Sequence, residues 1–581
     1  LGLEQSSCTF CGTCVSMCPT GALSAKNARY VGSPAQESMS ICGFCSVGCS
    51  LSMGAADNHI VEVNPASLSG SVNGATLCVR GHFAHDFLNS PERLIAPMGR
   101  KNGNRENDEL VPVSWDSALD LIAQRLTAIK AVYGPQSIAF CGSSKCTNEE
   151  NYLFQKIARV LIGTNNIDNG GYISGQSRLK VFDEKTGGGY RPNRLADLEK
   201  AEVILVLGAD PGHSVPVVSY YLKRAARQGI PLIVVDPRKT ELASMASIWL
   251  SIKPQTDLEL INGLAALLHE KKAYDSSFLD QYTEGFSLFR YSLASLDMEK
   301  ISRLTQLEMA ALNETAELLK GKKIAIVVGH GVIQQKYGSH TLGAILNLSL
   351  ITGSLGGAGA GVYVLARENN QLGAMDMGAV PDLLPGRQAI DNNATRKNWE
   401  KNWKIKISPD PGLNLVQMIA AAERGNLKAL YIMGENPLRA LPESARVQNA
   451  LKNLEFIVVQ DILNGETAKI ADVVLPAAAI SEKDGSVTNL EGRIQSFKAV
   501  TVPPAKAKPD WQILDLLSAL LGDADPHGSV EKIRHENRHF VHMNCSLNCQ
   551  YHSWIQTTSD KSVFNVLGEE GLIYFNPLIS N

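Results

Sequence analysis

Four cysteines between residues 42 and 78 have the type and spacing of a metal centre. Cys42, Cys45 and Cys49 fall within eight residues, and Cys78 follows after a further 28. Three thiolates on one short loop can surround one centre, and the distant fourth can complete its coordination. A structural zinc ion and a [4Fe–4S] cluster both use such C-x2-C pairs. We favour the cluster, because thiolates suit iron–sulfur centres and because a second iron–sulfur pattern lies upstream.

The upstream pattern occupies residues 8–19 and reads CTFCGTCVSMCP. This is the bacterial ferredoxin run C-x2-C-x2-C-x3-C-P, with Cys8, Cys11, Cys14 and Cys18 as ligands. In two-cluster ferredoxins the fourth cysteine binds the other cluster. Cys18 therefore closes either the same cluster or one that an upstream segment or a partner completes. Two clusters in one chain predict a route for electrons between them.

A strand, turn, helix and strand farther along the chain occur twice. An apolar strand at 203–207, a turn at Gly208, a helix at 217–227 and a second strand at 231–235 form one α/β half. Strand, G-x-[DN]-P turn, helix and IVV strand return about 225 residues later, from LYIMGENP to EFIVVQD. The repeat predicts two like α/β halves of the dinucleotide-binding kind.

Several longer runs resemble the molybdopterin-dinucleotide oxidoreductases, formate dehydrogenases above all. The resemblance begins with the cysteines of 42–78 and the Val79-Arg80-Gly81 that follows them, and it covers about residues 39–521. The other runs that carry it are SSKCTNEENYLFQKIARVLIGTNNID, ARENNQLGAMDMGAVP and EKDGSVTN. Within the first run, Thr147 and Glu150 form a capping box that predicts the start of a helix.

The resemblance implies an α/β fold in several parts. It consists of an N-terminal ferredoxin-like segment, a small [4Fe–4S] domain and two pseudo-symmetric Rossmann-like domains. We expect the cofactor-covering C-terminal barrel of the family to be missing, because 59 residues follow Gly522. The expected boundaries are 1–36 for the segment, 37–94 with 467–525 packing back on it for the small domain, 95–169 with 369–466 for the second half, 170–368 for the first half, and 526–581 for an irregular tail.

The resemblance also implies two pterin–guanine dinucleotides, one in each half. Arg80 stands where the family has a lysine between cluster and pterin. The residues at the dinucleotides would be Gly208, Asp210, Asp236, Arg238 and Asp257 in one half, and Gly434, Asn436 and Asp461 in the other. The alternative is that both halves remain as scaffold without a nucleotide.

Three positions depart from the formate dehydrogenase pattern. Ser174 takes the place of the metal-ligating cysteine or selenocysteine, Gly175 that of the adjacent histidine, and Ala366 that of the catalytic arginine. Arg367 lies one residue along, and a shift of one residue in a strand turns a side chain to the opposite face. We therefore expect the formate chemistry to be lost. Ser174 is either a loop serine or, as in some relatives, a serine ligand to molybdenum or tungsten.

Composition and cysteine usage indicate which partners and which cellular location to expect. The net charge of −3 gives no reason to expect nucleic acid, and no run is long and apolar enough to predict a membrane span. Eight of the 12 cysteines belong to the two patterns, which favours a reducing, cytoplasmic location. Cys141 and Cys146 are expected to be buried structural thiols. The tail holds a weaker metal-binding candidate formed by His535, His539, His542, Cys545, Cys549 and His552.

The leading hypothesis is an iron–sulfur electron-transfer subunit of a multi-subunit oxidoreductase. Its organisation is similar to that of the large iron–sulfur subunit of NADH–quinone oxidoreductase. At least two [4Fe–4S] clusters would relay electrons, and partner subunits linked to flavin, NAD(P)H or ferredoxin would supply the other redox chemistry. One alternative is an active molybdenum or tungsten enzyme that uses Ser174 on a substrate other than formate. The other is an assembly scaffold without redox function.

Overall fold

A computed structural model describes residues 6, 8–25, 33–66, 70–101, 103, 105, 108–175, 179–186, 193–538 and 564–565. The chain divides into two units, which are described separately. Unit 1 comprises Leu1–Ile173, Glu368–Asn489 and Ile494–Cys549, and unit 2 comprises Ser174–Arg367, Leu490–Arg493 and Gln550–Asn581.

Unit 1 begins with the cysteine-bearing parts of the chain. A one-turn helix, Thr13–Ser16, lies within the ferredoxin-like run. A three-stranded antiparallel sheet follows, made of Gln36–Ile41, Ser50–Ala56 and His59–Pro65. Asp57 and Asn58 both have positive φ, as the two-residue turns that join antiparallel strands require. We call residues 33–94 the small domain; it also holds the short helix Val79–Phe83 and the 3-10 turn Asp86–Asn89.

The body of unit 1 is a seven-stranded sheet with apolar side chains on both faces. Alternate residues of one strand point to opposite faces, so Tyr431 joins one core cluster and Leu430 and Ile432 join another. Five neighbouring strands run parallel, Met98–Arg100 pairs antiparallel with Val473–Pro476 at one end of them, and the edge strand Leu110–Pro112 pairs antiparallel with Met98–Arg100. In spatial order the strands are Leu110–Pro112, Met98–Arg100, Val473–Pro476, Phe456–Asp461, Ala429–Met433, Ile138–Cys141 and Ile167–Asp168.

Helices cover both faces of this sheet. Thr147 caps the helix Asn148–Lys156 and Glu150 completes the capping box, which confirms the helix start predicted from the sequence. The hairpin Gly485–Thr488 and Ile494–Phe497 packs on the small domain through Ile41, whereas Val473–Pro476 belongs to the large sheet. Further helices of unit 1 include Trp115–Tyr133, the 3-10 helices Pro135–Ser137 and Ile480–Glu482, the π-helix Ile157–Ile162, Gln371–Asp376, Asn393–Trp403, Leu415–Glu423, Pro437–Ala440, Ser444–Lys452, Glu466–Lys469, Asp510–Leu520 and Val530–Arg538.

Unit 2 is built on a five-stranded parallel sheet. Its strands, in spatial order, are Ile248–Leu250, Leu232–Val235, Val203–Leu207, Ile324–Val328 and Gly361–Val364. The central strands are continuous apolar runs because helices bury both of their faces. Its helices include Lys180–Thr186, the 3-10 helix Leu195–Lys200, Pro211–Ser214, Pro216–Arg227, Glu241–Met245, Asp257–Glu270, Ser276–Tyr282, Phe286–Ala294, Met298–Thr305, Met309–Leu319, His330–Ile333 and Gly338–Ile351.

The two parallel-stranded sheets confirm the predicted α/β fold class. The strand expected at 203–207 is present as predicted, and the helix expected at 217–227 is Pro216–Arg227. No helix in the described part of the chain combines the length and the apolarity that crossing a bilayer requires.

Candidate functional site

The second cysteine set, Cys42, Cys45, Cys49 and Cys78, lies inside the small domain. Each of these side chains is at most 5% exposed. Cys42 donates its backbone N–H to the carbonyl of Cys49 at 2.8 Å, which closes the loop that carries three of the thiols. Gly48 makes this loop possible. Its φ is +66°, and a Cβ there would overlap Oε1 of Gln495 and lie 2.8 Å from Cβ of Asn489.

Electrostatics in this set favour a positively charged centre. Burial raises the pKa of Cys45 to about 11 and raises the pKa of Cys42 and Cys49 strongly. Mutual repulsion among the four sulfurs adds to this effect, while the nearby Arg80 opposes it at Cys42 and Cys45. Four buried thiolates beside one guanidinium need further positive charge to be stable. A [4Fe–4S] core supplies such charge, so the residues present fit a cluster.

The first cysteine set, Cys8, Cys11, Cys14 and Cys18, lies at the surface. Cys8 and Cys14 are exposed and the other two are half-buried. Hydrogen bonds approach the sulfurs: the N–H of Phe10 lies 3.4 Å from Sγ of Cys8, and Oγ1 of Thr13 lies 3.2 Å from Sγ of Cys11. Such bonds favour the thiolate, and those from Leu23 and Thr20 lower the pKa of Cys18 to about 7. This set also fits iron–sulfur ligation.

No three His, Cys, Asp or Glu side chains in the described part of the chain come close enough to hold a single metal ion. The assignment of the eight thiols to clusters therefore rests on their spacing, their surroundings and the family comparisons given below. His535 is exposed. The rest of the predicted tail site, His539, His542, Cys545, Cys549 and His552, lies outside the described residues.

In unit 2, the predicted nucleotide residues lie at the carboxyl ends of the parallel strands. Asp236 is buried and accepts from the N–H of Arg238 at 2.8 Å, and Asp257 accepts from Nε2 of Gln335 at 2.7 Å. Burial raises the pKa of Asp257, and the nearby Asp236 adds to the shift. Two carboxylates at this edge can accept from a guanine edge or a ribose hydroxyl.

The glycine and the aspartate of the first turn have partners within unit 2. A Cβ on Gly208 would lie 2.9 Å from the backbone N of Val332, so this glycine is required by the close approach of two loops. Asp210 binds Nδ1 of His213 at 3.0 Å. The guanidinium of Arg238 is exposed and supplies a cation at the same edge.

The repeated turn of unit 1 has the same backbone shape. Gly208 and Gly434 both have positive φ, and Asp210 and Asn436 each precede a proline that opens a four-residue helix. Asn436 accepts from Oγ1 of Thr467 at 2.6 Å. Burial raises the pKa of Asp461 to about 6, against opposing hydrogen bonds from the next two N–H groups.

Sequence reasoning missed several residues near the carboxyl ends of the parallel strands of unit 1. Nζ of Lys145 lies 3.3 Å from Oε2 of Glu435, and Cys146 faces Gly434, whose Cβ would lie 2.9 Å from the sulfur. Asp168 ends the last strand, and burial raises its pKa to about 6. Glu435 stands inside the repeated G-x-[DN]-P turn, so the repeat itself could have pointed to it. Cys141 and Cys146 are both buried free thiols, as their expected structural role requires.

The formate-pattern positions lie in unit 2. Gly175 has a φ of +79°, and a Cβ there would lie 3.0 Å from the carbonyl oxygen of Ile333. Ala366 is 6% exposed, whereas Arg367 faces solvent. Ser174 ends the helix Gly171–Ser174, and its side chain lies outside the described part of the structure.

Comparison with known proteins identifies the family. Residues 93–520 match Molybdopterin oxidoreductase, residues 35–90 match the Molybdopterin oxidoreductase Fe4S4 domain, and residues 3–24 match a 4Fe-4S binding domain. The chain belongs to the molybdopterin oxidoreductase family. The predicted resemblance and the predicted iron–sulfur character are therefore confirmed, and the molybdopterin oxidoreductase match supports molybdopterin as a possible cofactor.

Similar proteins within the family include formate dehydrogenases. The chain is 36% identical over 501 residues to the F420-dependent formate dehydrogenase subunit alpha of Methanocaldococcus jannaschii, covering 86% of this chain and 72% of that one. It is 34% identical over 508 residues to formate dehydrogenase H of Escherichia coli, covering 86% and 70%. Acetylene hydratase from Pelobacter acetylenicus shares the fold, with a TM-score of 0.68 at 21% identity over 84% of this chain and 69% of that one.

Proposed function

We propose that this member of the molybdopterin oxidoreductase family is an iron–sulfur electron-transfer subunit of a larger oxidoreductase. The observation that carries the proposal is the contrast between two groups of residues. All eight cluster cysteines are present, and four of them are enclosed in the small domain. Among the three formate-pattern positions, Gly175 and Ala366 carry no functional side chain.

The surroundings of Gly175 and Ala366 support the loss of formate chemistry. An imidazole at residue 175 would place its Cβ against the main chain of Ile333 while requiring a positive φ. At residue 366 a methyl group is buried where the family pattern has a guanidinium. Arg367 does not replace it, because it is exposed on the neighbouring position of the chain.

The residues of the two sets would perform different parts of electron transfer. When bound, [4Fe–4S] clusters accept and release single electrons. The small domain excludes water from Cys42, Cys45, Cys49 and Cys78, and Arg80 offsets part of the negative charge of the thiolates. Phe10, Thr13 and Thr20 direct hydrogen bonds to the exposed set, where a partner can approach.

The proposal includes partners and a location. Flavin-, NAD(P)H- or ferredoxin-linked subunits would deliver or remove the electrons, and the complex would work in the cytoplasm. The α/β units would serve as a docking body, with a guanine nucleotide accepted at the carboxylates Asp236 and Asp257 or at Asp461.

Metal analysis of the purified complex tests the proposal. We expect about eight iron atoms per chain for two four-iron clusters, no stoichiometric molybdenum or tungsten, reducible clusters in EPR, and no formate-dependent dye reduction. As a control, the variant Cys141→Ser should keep its iron, because Cys141 is a buried cysteine outside both sets. Stoichiometric molybdenum or tungsten would refute the proposal in favour of an enzyme with Ser174 as ligand. Absent or irreducible clusters would favour a scaffold.

A further inference from the structure

Two neighbouring residues of the helix Val79–Phe83 contact the two cysteine sets. Gly81 faces the second set, since a Cβ there would lie 3.5 Å from Sγ of Cys42. His82 faces the first set, where it lies against Gly12. The helix follows Cys78 directly, and the N–H of His82 donates to the carbonyl of Cys78 at 3.0 Å. The helix therefore contacts both sets, and it is also covalently continuous with Cys78 of the second set.

The contact at Gly12 is unusually close. A Cβ on Gly12 would lie 2.7 Å from Nδ1 of His82 and 2.7 Å from Cζ of Phe83. The φ of Gly12 is +77°, which favours glycine for a second reason. Gly12 stands between Cys11 and Cys14, so the two rings rest on the main chain that carries the first set.

The two rings pack on each other as well as on Gly12. Their centroids are 4.4 Å apart at an angle of 36°, and His82 is only 7% exposed. Next to this contact lies a cavity of about 620 Å³ whose lining includes Cys18, His59 and Glu62. Beside the rings, this cavity separates the ferredoxin-like segment from the small domain. At the rings, the two parts are in direct atomic contact.

We propose that His82 and Phe83 form the contact through which electrons pass between the two cysteine sets; this inference rests on the proposed function. With both clusters bound, the step would carry one electron from the reduced cluster of one set to the oxidised cluster of the other. No bond forms or breaks and no proton moves. Closely packed atoms favour this transfer over a solvent gap, because electronic coupling falls more steeply through space than through packed and bonded atoms.

Flash reduction of the iron-loaded full chain tests the role of the rings. Photoreduced methyl viologen reduces the exposed set first, and the arrival of the electron at the buried set is followed by its EPR signal. We expect Phe83→Leu and His82→Leu to slow this arrival severalfold, while His82→Phe keeps the rate near that of the unmodified protein. Phe87→Leu is the matched control, since Phe87 packs on Phe44, which lies between Cys42 and Cys45, with a centroid distance of 6.1 Å.

A second measurement does not depend on electron transfer. In the iron-free chain, Gly12→Ala should release the ferredoxin-like segment and increase its cleavage by protease, because the added methyl group displaces both rings. Equal arrival rates in the leucine variants and the control, with both clusters loaded, would overturn the inference and leave the proposed function intact. An unmodified protein whose buried set never receives the electron would instead refute the proposed function. If the leucine variants lose a cluster, His82→Phe and the protease assay decide, and unchanged cleavage of Gly12→Ala overturns the inference.

Discussion

The two cysteine sets each present four thiols, but in opposite surroundings. The first set is at the surface of a segment, residues 8–25, that contains no charged side chain. The second is enclosed by a sheet, a hairpin and a short helix, with Arg80 nearby. Ligand type alone therefore does not determine what a centre does. Exposure suits exchange of electrons with a partner, and enclosure suits their protected passage onward.

The largest expected effect comes from removing a ligand of the enclosed set. Cys49→Ser should lose half of the iron and lower the free energy of unfolding by on the order of 4 kcal/mol, because a buried site then loses its centre. Iron analysis and denaturant unfolding measure both quantities. A variant that retains the full iron content would break the comparison by showing that Cys49 is not a ligand.

The next comparison is between two glycines with the same backbone conformation, one near each cysteine set. Gly48 and Gly21 have φ values of +66° and +67°, but a Cβ meets close neighbours only at Gly48. Gly48→Ala should cost about 3 kcal/mol of unfolding free energy, from overpacking and backbone strain together. Gly21→Ala should cost about 1 kcal/mol, from strain alone. Equal costs in denaturant unfolding would show that the second set is not more tightly packed than the first.

A third prediction concerns a segment of unit 1 that, unlike the two cysteine sets, is held in place by ion pairs. Burial alone would lower the pKa of His527, but hydrogen bonds to Asp515 and Glu536 raise it to about 9. Burial alone would raise the pKa of Glu536, but His527 and Lys156 lower it to about 2. The helix Val530–Arg538 carries Glu536, so its attachment depends on these charges.

The sign of the pH effect follows from these shifts. The stability that His527 contributes is complete below its unfolded pKa of about 6.5 and is lost as the pH rises through 9. The contribution of Glu536 is complete above about pH 4.3 and is lost as the pH falls through 2. The protection factors of amides in the helix, which correct for the intrinsic pH dependence of hydrogen exchange, should therefore fall from pH 7 to 9, by a loss of about 2 kcal/mol. His527→Gln should flatten this alkaline change, and a variant that retains it would contradict the assignment.

The smallest expected effect on stability belongs to the exposed set. Cys14→Ser should also lose half of the iron, yet the unfolding free energy of the body should change by less than about 1 kcal/mol. The reason is that the Cys14 side chain is exposed. EPR of the remaining cluster checks that the buried set is intact. Loss of both clusters in this variant would mean that the two sets assemble together.

Local patterns allowed much of the fold to be predicted. The strand at 203–207 was predictable from a continuous apolar run, and the helix start at Thr147 from a capping box whose two hydrogen bonds both form. The grouping of Cys42, Cys45 and Cys49 was predictable because they share one loop. Each of these features depends on residues that are close in sequence.

Contacts between distant residues could not be predicted in this way. The approach of Gly12 to His82 spans 70 residues and depends on a positive φ that many glycines share. Lys483 illustrates the same limit, because its Nζ lies 2.8 Å from Glu150 and 2.7 Å from Asp510 in the interior of unit 1. Burial raises the pKa of Glu150 to about 7, and the nearby Asp510 adds to the shift while Lys483 opposes it. A lysine in a polar run gives no sequence signal that it will be enclosed.

Under the proposed function, the backbone at Gly175 bears on any attempt to engineer this protein into a formate enzyme. Restoring the family side chains at 174, 175 and 366 changes three residues but leaves the loop path unaltered. With the present path, any side chain at 175 meets the carbonyl of Ile333. A redesign must therefore accommodate a local shift of the main chain near residue 175 or Ile333, in addition to the three substitutions.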